Sequence, residues 1–81
     1  MNRKGPHSLR VWQERSTAFL KAKMKESGVT YVDLVKRLEK LGFKETEASL
    51  TMKLKRGTFA ATFFLAALTA IRVHGIKLED I

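Results

Sequence analysis

The chain has no cysteine and a single proline. Without thiols, disulfides and thiolate metal sites are excluded, nothing argues for secretion, and a reducing cytoplasmic setting is expected. Nor is any hydrophobic run long enough for a bilayer: "TFAATFFLAALTAI" covers about fourteen residues, against the roughly eighteen to twenty that a span requires. It reads as a buried helix, and no membrane role is expected. The N-terminus is basic but leads into "SLRVWQERSTAF", without the apolar stretch and small-residue cleavage site of a signal peptide, so export is not expected either.

Catalytic signatures are missing as well. There is no glycine-rich phosphate loop, no carboxylate pair in an apolar setting and no nucleophile elbow, and 81 residues leave little room for a deep pocket. His7 and His74 stand alone, with no acidic partners at ligand spacing, so neither a metal nor a cofactor is expected. The chain reads as a non-enzyme. Acids are scarce too: eight Asp and Glu face sixteen Lys and Arg, giving +8 and a pI near 10.2. Such a balance favours a polyanionic partner. The excess lies in the front and middle, since residues 1–25 hold seven cations and one acid, 26–57 hold seven and five, and 58–81 hold two and two.

What is present organises as one small all-α domain. Residues 1–7, "MNRKGPH", have no periodicity and predict a flexible basic arm ahead of a single domain over 8–81. Ser8 is an N-cap candidate, and Leu9, Trp12, Ser16, Phe19, Leu20 and Met24 keep to one helical stripe, with Trp12 expected to anchor the core. Gly28 closes this helix near Glu26. Thr30 with Asp33 three residues on resembles a capping box with a shorter acid, and Leu34, Val35, Leu38 and Leu41 are the core positions expected of a second helix ending at Gly42. Thr46 caps a third helix, which Leu50 and Leu54 anchor and Gly57 ends. From Thr58 to Arg72 the chain is apolar on more than one side, with Phe59, Phe63, Phe64, Leu65, Leu68 and Ile71. A tail, "VHGIKLEDI", follows as an extended segment or a final turn.

Two short helices joined by a turn, the second basic and a longer helix on either side, outline a helix-turn-helix over about residues 30–57, followed by an apolar helix and tail over 58–81. With Leu50 and Leu54 inward, the opposite face of the third helix carries Ala48, Ser49, Met52, Lys53 and Arg56. Small residues near its start suit entry into a major groove. Thr46, Ala48, Ser49, Met52 and Lys53 are the expected base-facing set. Thr30 and Tyr31 at the start of the second helix, with Lys44, Lys55, Arg56 and Thr58, are expected on phosphates, and Arg3 and Lys4 of the arm in an adjacent minor groove.

The segments "LKAKMKESGVTYVDLVKRLEKLG", "TEASLTMKLKRGTF" and "FFLAALTAIRV" resemble the Cro and phage-repressor class of helix-turn-helix. They also closely resemble a family of small bacterial proteins known only as a domain of unknown function. The resemblance runs from about Phe19 to Leu78. It rests most on Val29-Thr30, Leu34, Leu54, Arg56-Gly57 and the stretch from Ala67-Leu68 to Val73. It implies a four- to five-helix bundle of the lambda-repressor-like type, with Tyr31 at the position where the class usually has a phosphate-binding glutamine. Val35 replaces the alanine favoured at the helix crossing, Arg72 the common glycine, and "EKLGFKE" is about three residues longer than usual.

Sequence-specific binding of double-stranded DNA by a homodimeric transcriptional regulator, cytoplasmic and nucleoid-associated, is therefore the first expectation. One module covers only a few base pairs, so a dimer on half-sites roughly 34 Å apart is the natural assembly. The nearly neutral C-terminal third supplies the expected interface: Phe63, Phe64, Leu68, Ile76, Leu78 and Ile81. Two alternatives stand beside it. One is an antitoxin-like accessory protein that holds a protein partner through the apolar fourth helix, and the other is a non-specific nucleoid or RNA binder acting by charge alone.

Overall fold

Each of the first three helices begins at a side chain that satisfies its open N–H groups. The computed structural model describes residues 8–81, and the expected arm with Arg3 and Lys4 lies outside them. Within 8–81 the order is α1 (Leu9–Ser27), α2 (Tyr31–Lys40), α3 (Glu47–Arg56), α4 (Ala61–Ile71) and a 3₁₀ turn (Leu78–Asp80), with no strand among the described residues. Ser8 Oγ accepts the Val11 amide at 3.1 Å. Thr30 and Asp33 exchange side chain for amide at 3.1 Å each, and Thr46 and Ser49 do the same at 3.0 and 2.9 Å. Such caps are worth about 1 kcal/mol apiece. By contrast α4 starts at Ala60 with no side-chain cap and stops at Arg72, whose φ of 71° is left-handed without being glycine. Packing, not capping, holds α4.

That packing is extensive. α2 lies against both α3 and α4, and α1 against α4 and α3. Leu20, Leu34, Leu38, Leu50 and Leu54 are fully enclosed, and α4 adds Phe63, Ala67, Leu68, Ala70 and Ile71. All five phenylalanines join one chain of rings, Phe19 to Phe64 to Phe59 to Phe63 to Phe43, with centroids 5.5–6.4 Å apart. It stitches α1, the α2–α3 loop and the entry to α4 together, at about 0.5–1.5 kcal/mol per pair beyond burial.

The expected core needs three corrections. Trp12 is 44% exposed, and its ring is covered by the Arg15 guanidinium at 4.5 Å. Leu41 is 45% exposed, since it ends α2 and the chain turns there. Leu65 is 60% exposed, because the inner face of α4 is already filled. The apolar helix also starts later than Thr58, at Ala61.

The α3–α4 junction fixes the layout. The chain bends by 116° between the two helices, and Gly57, at φ 68°, makes the turn while lying on the backbone of α1. A Cβ there would sit 2.5 Å from the Gln13 carbonyl oxygen. Nearby, Thr17 Oγ1 donates to the Leu54 carbonyl at 2.8 Å, which satisfies an acceptor in the last turn of α3. No single helix among the described residues is long and apolar enough to cross a membrane.

Candidate nucleic-acid interface

The outward side of α3 is set by what Leu50 and Leu54 bury. Ala48, Thr51, Met52, Lys55 and Arg56 are exposed together with Glu47, so the face carries an acid and a small residue at its start, Thr51 and Met52 at its centre and cations at its end. Thr51 is absent from the base-facing set expected from the sequence; it is exposed, and its hydroxyl donates to the Glu47 carbonyl at 2.7 Å. Thr46 is exposed, but its hydroxyl oxygen accepts the Ser49 amide. Lys44 and Thr58 are exposed on the loops flanking α3.

Two residues expected on that face are engaged elsewhere. The Ser49 hydroxyl accepts the Thr46 amide and donates to the Glu45 carboxylate at 2.6 Å. Lys53 turns to Glu45 as well, pairs with its other oxygen, and lies 4.9 Å from the Phe63 ring centre. Both are pulled away by one acid whose side chain is only 5% exposed. Glu45 in turn is placed by the long loop after α2, which Phe43 pins to the core through an edge contact with Phe63. The extra length of "EKLGFKE" is thereby folded back on the bundle and fastened to the start of α3.

Burial pushes the Glu45 carboxyl up, but the hydrogen bonds from Lys53 and Ser49 outweigh it and hold the group below its ordinary value. A carboxylate depressed in the folded state stabilises fully above its unfolded value, and that contribution disappears as pH falls through the folded one. Glu45→Gln is therefore expected to reduce the fall in urea midpoint between neutral and acid pH. Asp33 remains in both proteins; its carboxyl is held down by the Thr30 amide and hydroxyl. Identical acid profiles for the two proteins would remove Glu45 from the account.

At the start of α2, Thr30 is exposed and Tyr31 half-buried against the core edge. The Thr30 amide already meets Asp33, which leaves the first-turn amides of Tyr31 and Val32 without helical acceptors. An open groove of about 380 Å³ beside them is bordered by Lys21 and Lys25 of α1. These two cations escape a search limited to the second and third helices. Their signal is nonetheless local, since they lie four apart on the polar side of the α1 stripe. Among the described residues no group of three His, Cys, Asp or Glu is arranged to hold a metal ion.

The expected dimer surface divides. Phe63 and Leu68 are buried in the protomer's own core and leave it. Phe64 and Ile81 are partly buried on the core edge, while Ile76 and Leu78 are exposed, Leu78 at 77%. A family model described as "Domain of unknown function (DUF6471)" matches residues 12–76, from Trp12 in α1 to Ile76 beyond α4. No curated protein and no solved structure matches the chain.

Proposed function

The chain belongs to the DUF6471 family, and on that premise we propose that it is a sequence-specific double-stranded DNA-binding protein, with α2 and α3 as a helix-turn-helix of the lambda-repressor-like type. The observation that carries the proposal is the outer face of α3: Ala48, Thr51 and Met52 exposed side by side, ending in Lys55 and Arg56. Ala48 and Thr51 are short enough to let the helix approach base edges closely. Ala48 suits a thymine methyl, and the Thr51 oxygen, its proton already given to the Glu47 carbonyl, is left to accept from an adenine or cytosine amino group. Lys55 and Arg56 then meet phosphate, as do Tyr31 and Lys44. Lys53 and Ser49 act behind the face by holding the loop that orients it.

A homodimer completes the proposal, because one such helix buries too little surface for a specific complex. Phe64, Ile76, Leu78 and Ile81 remain the surface for it. The apolar excess of α4, which favours a protein partner when read from sequence, is largely absorbed by this chain's own core. The regulator is thus the stronger alternative. Selection from a randomised duplex pool at about physiological salt should return a two-fold motif with half-sites roughly 34 Å apart. Retention with no motif would leave only charge-driven binding, and no retention would end the DNA proposal.

A further inference from the structure

α1 carries a second feature that packing does not explain. Arg10, Glu14, Lys21 and Lys25 fall at helical spacings along one flank, and all four are exposed. Glu14 is the only acid among them and is paired with Arg10 at 3.3 Å. An open groove of about 510 Å³ runs between this flank and the end of α3, bordered by Arg10, Lys21, Lys55 and Arg56. Lys21 also borders the groove at the start of α2. One lysine thus joins two grooves into a cationic track from the N-terminus of α2 to that of α1.

Helix stability accounts for part of this charge only. Lys25, Lys55 and Arg56 lie in last turns, where cations complement the helix dipole. Arg10 lies in the first turn of α1, which holds no acid, and there the dipole opposes it. Lys21 lies in mid-helix, with no ion-pair partner among the described residues. From Arg10 to Lys25 the helix advances about 22 Å, the rise of about six base pairs of duplex.

We propose that this flank of α1 is a second phosphate-binding ridge, which grips the backbone of the same duplex beside the base pairs faced by α3. The proposal rests on the DNA-binding function above and extends it to residues outside the helix-turn-helix. Gly57 against Gln13 and Thr17 on the Leu54 carbonyl hold α1 and α3 in fixed register, and cations of both helices border the groove between them.

The test is the salt dependence of binding to a mixed-sequence duplex of roughly three helical turns. Lys21→Ala/Lys25→Ala should lower the slope of log K against log salt by about 1.8, two phosphate contacts at about 0.9 each. Lys40→Ala/Lys77→Ala makes the same change in net charge away from the ridge and should leave the slope at its parent value, and Lys21→Arg/Lys25→Arg should preserve it. An unchanged slope in the Lys21/Lys25 alanine variant, or equal losses in both alanine variants, would overturn the ridge while leaving α3 as the DNA-binding element. A parent protein that binds no duplex even at low salt would overturn the ridge and the proposed function together.

Discussion

Gly57→Ala is expected to cost roughly 2–5 kcal/mol of folding stability. Two effects combine. A non-glycine residue at φ 68° loses about 1–2 kcal/mol to the clash between Cβ and carbonyl. The new Cβ also meets backbone: 2.5 Å to the Gln13 oxygen and 2.9 Å to its carbon. No side chain can swing aside to relieve that, so α1 must move off α3, at about 1–3 kcal/mol for overpacking of this kind. Domains of this length hold only about 4–12 kcal/mol in total, so much of the fold's margin would go. Gly28→Ala is the matched control, because Gly28 is also left-handed but has nothing within 4 Å of its virtual Cβ. It should lose the conformational part alone, and equal urea midpoints for the two variants would refute the contact with Gln13.

Leu54→Ala is expected to cost about 2–5 kcal/mol through the cavity it leaves. The side chain is 1% exposed and lies in the last turn of α3, where Thr17 also binds its carbonyl. Neighbours fastened in this way cannot collapse easily into the space. Leu54→Met keeps most of the volume and should lose under about 1.5 kcal/mol. Neither change alters a residue of the outer face, so duplex binding measured well below the melting temperature should persist in both. An alanine variant that melts with the parent protein would show that α3 is not held through this residue.

The boundaries of the first three helices were legible because their causes are local. Ser8, Thr30 with Asp33, and Thr46 act within three residues of themselves, and Gly28 and Gly57 end their helices in a left-handed conformation. Direction was harder. Phe63, Leu65 and Leu68 are alike in composition, and only the positions of α1 and α2 decide that Leu65 faces out. Trp12 keeps the apolar period of α1, but periodicity cannot say which part of that stripe a neighbouring element covers. Within the site, Ala48, Met52, Lys55 and Arg56 follow from the Leu50–Leu54 stripe. The displacement of Lys53 and Ser49 does not, because it depends on where a loop residue, Glu45, comes to rest. That loop bends back through the contact of Phe43 with Phe63, twenty residues apart in sequence.

Among the described residues the buried core is wholly apolar, and Glu45, whose side chain is 5% exposed, lies at its edge with its charge paired. Apolar contact drives collapse strongly but has no preferred direction, and a core of aliphatic and aromatic side chains admits several arrangements of nearly equal energy. Discrimination among them falls to bonds at the rim that have a direction. Thr17 to Leu54, Arg15 to the Ile81 carbonyl, Arg37 to the Ala70 carbonyl and Lys53 to Glu45 each join segments distant along the chain or across a loop. Individually they add about 0.5–1.5 kcal/mol, or somewhat more where charged, which is little against the core. Their effect is selective: a rotated or slipped packing keeps most of the buried area and loses these bonds, so the rim decides which of the available cores is the native one.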